Sequence, residues 1–140
     1  MSDFQEFLEN SLQQKIKQLI PLTGGASADI NRIVLANEDE LIVRRTLSQE
    51  KSVMAIPKIL EAKIQKVVKK NGAPVPDIIF EFSEGEEIGE GYVMEAIPGE
   101  TIPRKILRDD KFSTAREKLP FEIGKSCLLY TSDAADEGVR

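Results

Sequence analysis

The chain has 140 residues, 41% hydrophobic and 31% charged, which suits one domain with a real core and leaves little room for a second. Its formal charge of -5 excludes the clustered basic surface that nucleic-acid binding needs, so no nucleic acid is expected as a partner. No basic flank leads into a continuous apolar run, so neither a secretory leader nor a membrane partner is expected; the lone Cys127 forms no internal disulfide, which fits a cytoplasmic setting.

Phe4, Phe7, Leu8, Leu12, Ile16, Leu19 and Ile20 recur at steps of three and four, which predicts one amphipathic helix over residues 2–20, a separate N-terminal segment (1–20) ended by Pro21. The stretch "PLTGGASADINRIVLA" follows. Its glycines, Gly24 and Gly25, bring backbone N–H groups close to a ligand's phosphate oxygens because no Cβ intervenes, and Ser27 adds a hydroxyl donor. Taken alone, two glycines between strands make a turn, and a strand rather than a helix follows, so this is no Walker loop.

Residues 30–36 and 41–47 are rich in β-branched and aliphatic side chains around the polar turn Asn37-Glu38-Asp39-Glu40, the pattern of a hairpin. Its second strand carries Arg44 and Arg45, which a pleated strand sends to opposite faces. On a twisted edge strand both are solvated; in a covered sheet the inward one requires an anion, either a carboxylate or a phosphate. Residues 52–71 return to helical spacing, with Pro57 in the first turn and Ile56, Leu60, Ile64, Val67 and Val68 on one face. Lys69 and Lys70 come late, and Gly72 stops the helix. Glu61, in its first half, is the candidate carboxylate for an inward arginine.

Pro74 and Pro76 hold the chain extended into a strand at residues 78–82. A charged turn over residues 84–89 leads to a second strand, "GYVMEAI", stopped by Pro98-Gly99. There Met94 fits as a gap-filling core residue, while the main chain from Glu95 to Ile97 can offer a carbonyl and an N–H to a planar ligand edge. Residues 103–126 read as helices broken near Pro120. The sum is an α+β layout, a five-stranded antiparallel sheet with one major helix against it. The end of the chain, "CLLYTSDAADE" from Cys127 to Glu137, resembles the translation of a transposon-end adaptor used in DNA library preparation. Residues 127–140 are therefore set aside, and the natural chain is expected to continue past Ser126.

Four segments together resemble the N-terminal lobe of the aminoglycoside phosphotransferase type of small-molecule kinase, a relative of the protein-kinase fold. They are Gly24-Gly25-Ala26-Ser27 before a strand, Val43-Arg44-Arg45 on the next strand, Glu61 thirteen residues before Pro74-Val75-Pro76, and the Val-Met-Glu strand within Gly89 to Glu100. Ala28 stands where many members carry Asn, and Asn31 where an aromatic is common.

The resemblance implies a kinase-like nucleotide-binding lobe over residues 21–100, then the start of a truncated helical C-terminal lobe over residues 101–126. In such a lobe Gly24, Gly25 and Ser27 cover the phosphates of ATP, and Arg44, paired with Glu61, is the phosphate-binding cation. Met94 lies behind the adenine, with the Glu95 carbonyl and the Ile97 N–H on its edge. The implied reaction is phosphoryl transfer from ATP, with Mg2+, to a hydroxyl of a small molecule.

The family's catalytic Asp, in a His-Gly-Asp motif, and its magnesium ligands belong to the C-terminal lobe, and this chain has no His. No catalytic or metal-ligating residue is therefore assigned, and the chain by itself is expected to be inactive, to bind nucleotide very weakly, and to expose Ile106, Leu107 and Phe121. The alternative is a non-catalytic α+β protein-interaction domain in which the glycine loop is only a turn. An enzyme of unrelated fold ranks last, since no nucleophile–base pair or metal cluster is visible.

Overall fold

A computed structural model describes residues 3–22, 29–47 and 56–137. Five strands form one antiparallel sheet: β1 (Ile16–Pro21), β2 (Asp29–Leu35), β3 (Glu40–Thr46), β4 (Ile78–Glu84) and β5 (Gly89–Glu95), in the order β1-β2-β3-β5-β4. Helix α1 (Asp3–Leu12) precedes the sheet, α2 (Lys58–Lys70) connects β3 to β4, and the short α3 (Gly85–Ile88) connects β4 to β5. The α+β class and the five-stranded antiparallel sheet are as the sequence predicts.

The helix expected over residues 2–20 is instead a helix and a strand. Gln13 adopts a positive φ of 54°, which ends α1 after Leu12. The cause lies one turn back: buried Glu9 accepts hydrogen bonds from Lys15 Nζ (2.6 Å) and from the backbone N–H of Ile16 (3.0 Å), which folds the chain back on the helix. Those two bonds, Lys15 first, hold the Glu9 carboxyl below the usual carboxylate range. Ile16 then opens β1 opposite Leu35 of β2. Leu12, Ile16 and Leu19 fit a helical period, but Ile16 and Leu19 pack equally well from a strand.

The apolar core lies on the α1 face of the sheet. Phe4 and Leu8 of α1 pack with Ile16, Ile33, Leu35, Val43, Phe82 and Val93, and Phe7, Leu19 and Phe80 close the margin. Gly91 permits this packing, because a Cβ there would lie 2.5 Å from the Arg44 carbonyl oxygen and 2.6 Å from the Phe82 ring. The apolar face of α2 is turned mostly outward. Lys58 and Ala62 are its buried residues, whereas Leu60 (48% exposed), Ile64 (46%) and Val67 (57%) face outward. The side turned to the sheet is polar, with Gln65 Nε2 donating to the Pro76 carbonyl (2.9 Å) and Lys66 pairing with Glu81 of β4 (3.0 Å).

Contacts divide the chain into two compact units, residues 1–68 with 75–96, and residues 69–74 with 97–140. The second unit contains α4 (Pro103–Arg108), a 3-10 turn (Asp110–Phe112) and α5 (Ser113–Glu137). Arg116 Nη1 donates to the Ile106 and Asp109 carbonyls (2.8 and 2.9 Å), satisfying groups that the end of α4 leaves open. The break expected near Pro120 is absent, since α5 runs through it. A proline there removes one hydrogen bond, to the Arg116 carbonyl, and the remaining turns of a 25-residue helix carry the chain across. The same helix continues past residue 127 without a change of backbone state. Leu107 and Phe121 are exposed, as expected, while Ile106 is half-buried. Among the described residues no helix is long and apolar enough to cross a membrane.

This placement of the core gives a direct test by denaturant unfolding. Leu8→Ala empties a fully buried site and should cost about 2–5 kcal/mol, whereas Leu60→Ala on the outward stripe should cost under about 1 kcal/mol. Equal losses would mean that α2 packs its apolar face after all.

Candidate functional site

Adjacent arginines on β3 take opposite faces, and each finds a different environment. Arg45 turns toward α1. Its Nε donates to Asp29 Oδ2 (2.7 Å), its Nη1 donates to the carbonyls of Glu87 and Ile88 (3.3 and 3.2 Å), and its guanidinium lies 3.6 Å from the centre of the Phe4 ring. It lines a cavity of about 300 Å3 together with Phe4, Leu19, Asp29 and Asn31. The charge of Arg45 is thus consumed in holding α1 and α3 to the sheet.

Arg44 takes the α2 face, opposite Tyr92 of β5 in register. The antiparallel pairing puts Ile42, Arg44, Tyr92 and Met94 on this one face, and the first turn of α2 brings Lys58 and Glu61 to it. Glu61 is the centre of the group. Its Oε1 accepts from the Tyr92 hydroxyl (2.9 Å) and its Oε2 from Lys58 Nζ (2.6 Å). Arg44 Nε lies 3.3 Å from Oε1, close enough for charge attraction, yet that buried Nε has no hydrogen-bond partner. Arg32 Nε, two register positions away on the same face, is also buried and unpartnered, although its Nη1 pairs with Glu40 at 3.5 Å. These are the unpartnered buried side-chain nitrogens among the described residues.

Burial works against the Glu61 charge, but the hydrogen bonds from Lys58 and Tyr92 and the charge of Arg44 outweigh it, holding the carboxyl below the usual range. Burial, then the adjacent Glu61, pushes the Tyr92 hydroxyl well above the usual tyrosine range. Glu90, on the same face of β5, accepts from the Ile59 N–H (3.1 Å), so a second carboxylate meets the first turn of α2. Among the described residues no cluster of three acidic, Cys or His side chains could hold a metal ion.

The structure therefore brings together Arg44 and Glu61 from the sequence-predicted set. Met94 is half-buried between Ile42 and Ile78, its sulfur 3.9 Å from Gln65 Nε2. It belongs to the Arg44 face and not to the apolar core expected for it. The Glu95 N–H donates to the Asp77 carbonyl (3.0 Å), and Ile97 is exposed. Gly24, Gly25 and Ser27 lie outside the described residues. Lys58 and Tyr92 were missed. The signal for Lys58 was a cation in the first turn of a helix, where the helix dipole disfavours it unless a tertiary partner compensates. The signal for Tyr92 was strand alternation, which aligns it with Met94.

Stability should fall at both ends of the pH range. A carboxyl whose folded pKa is lowered contributes fully above the unfolded value of about 4.3, and that share is lost as pH drops toward the folded value. A hydroxyl whose folded pKa is raised contributes fully below about pH 10 and loses its share as pH climbs beyond that. In a stability–pH profile Glu61→Gln should flatten the acid limb and Tyr92→Phe the alkaline limb, the latter with a loss of about 1–3 kcal/mol at neutral pH. Unchanged limbs would mean that the cluster does not form. Comparison with protein-family models, curated proteins and solved structures finds no match to this chain.

Proposed function

We propose that the chain is the nucleotide-binding lobe of an ATP-dependent phosphotransferase that acts on a hydroxyl of a small molecule. The observation that carries this reading is the juxtaposition of Arg44 and Glu61, a basic residue on the third strand beside a carboxylate on the helix that follows it. The five-stranded antiparallel sheet, with that helix between the third and fourth strands in the chain, supports it, being the layout the resemblance implies. The buried, unpartnered Nε of Arg44 fits an anionic ligand.

In this reading the Arg44 guanidinium presents a flat fork to phosphate oxygens, and Glu61 limits its freedom of orientation. Met94 lies against the adenine side of the ligand, and the Glu95 carbonyl faces the base edge. ATP supplies the transferable phosphoryl group, and Mg2+ neutralises its charge. The glycine segment from Gly24 to Ser27 covers the phosphates. The acceptor hydroxyl and the catalytic carboxylate belong to the C-terminal lobe.

A second reading, a non-catalytic interaction domain, is favoured by the outward stripe of Leu60, Ile64 and Val67 on α2. An exposed row of this kind on one helix face is characteristic of protein contact surfaces.

Amide NMR of the 15N-labelled chain under millimolar Mg-ATP separates the two. The kinase reading predicts shifts at Arg44, Met94, Glu95 and Gly24 to Ser27, at least tenfold weaker in Arg44→Gln. Shifts confined to Leu60, Ile64 and Val67, or identical in Arg44→Gln, would contradict it.

A further inference from the structure

Arg44 and Lys58 share the Glu61 carboxylate, and the two cations are not equivalent. The Lys58 side chain is 8% exposed and its Nζ makes a 2.6 Å hydrogen bond to Glu61 Oε2. The Arg44 side chain is 31% exposed and makes no hydrogen bond through Nε, although Glu61 Oε1 is 3.3 Å away. A buried ammonium is strongly destabilising without a counter-charge, so Lys58 has the greater claim on the carboxylate. The Tyr92 hydroxyl, aimed at Oε1, occupies the oxygen that Arg44 would otherwise take.

We infer that Lys58 is the counter-ion of Glu61, a positioning residue whose grip on the carboxylate leaves Arg44 open to an anionic ligand. The inference rests on the phosphate-binding reading for the identity of that ligand, and on the geometry alone for the pairing. Without Lys58, the half-buried Glu61 charge falls to Arg44, whose guanidinium closes onto the carboxylate in a forked pair. Arg44 is then no longer open to an anion. Lys58 thereby sets the affinity of Arg44 for phosphate without touching the phosphate.

A direct ligand and a positioning residue respond differently to a second substitution. In Lys58→Met the Arg44–Glu61 pair tightens, and affinity for Mg-ATP in the NMR titration should fall about tenfold. Removing the carboxylate charge as well, in Lys58→Met/Glu61→Gln, should restore affinity to within about threefold of the original chain, because Arg44 is released again. Lys58→Arg, which keeps the counter-charge, should stay within about twofold. A double variant as weak as Lys58→Met would overturn the inference, since Lys58 would then bind the ligand itself.

The pairing has its own readout, independent of nucleotide. In a 13C carboxyl titration Lys58→Met should raise the Glu61 midpoint more than Arg44→Gln does, and the opposite order overturns the inference. If Mg-ATP shifts nothing in the original chain while the titration order holds, the phosphate reading fails and the pairing stands. Amide spectra of each variant confirm that the sheet is intact before either comparison is made.

Discussion

Neighbouring residues on a strand point to opposite faces, so two adjacent arginines in the middle of a sheet oblige both faces to supply negative charge. Arg44 and Arg45 impose that constraint here, and the two faces of the sheet are its two answers. On one face Asp29 and the α3 carbonyls meet Arg45, Phe4 stacks on it, and the apolar core closes around them. On the other face Glu61 of α2 lies beside Arg44 and is held by hydrogen bonds from Lys58 and Tyr92.

This explains why α2 turns its polar side inward. A helix that presented Leu60, Ile64 and Val67 to the sheet would break the Glu61–Tyr92 and Gln65–Pro76 hydrogen bonds. The observed rotation buries Ala62 and brings Lys58, Glu61 and Gln65 to the strands. The apolar stripe is left outside. Electrostatic satisfaction thus decides the orientation of α2 against the hydrophobic pattern of its own sequence, and the core is built by α1 instead.

Much of this organisation is legible in the sequence. The β-branched runs around Asn37 to Glu40 specify the hairpin, the prolines at 74 and 76 mark the entry to β4, and the position of Glu61 in the first half of the next helix marks it as the candidate carboxylate. What is not legible follows from ambiguity in the pattern or from contacts remote in the chain. Ile16 and Leu19 satisfy both a helical and an extended reading, and only the Glu9 bonds to Lys15 and Ile16 decide between them. The inward side of α2 cannot be read from periodicity, because the winning contacts are to Arg44 and Tyr92 on distant strands. Pro120 marks a break that does not occur, since one missing hydrogen bond is a local cost within a long helix.

The central claim is that Arg45 is held by the core while Arg44 is not. Denaturant unfolding of Arg45→Met and Arg44→Met, side by side, tests it most directly. Arg45, with side-chain exposure of 14%, has three hydrogen bonds and a ring contact to lose, so its replacement should cost about 2 kcal/mol or more. Arg44 Nε makes no hydrogen bond and Glu61 keeps Lys58, so its replacement should cost under about 1 kcal/mol. A larger loss from Arg44→Met than from Arg45→Met would contradict the account.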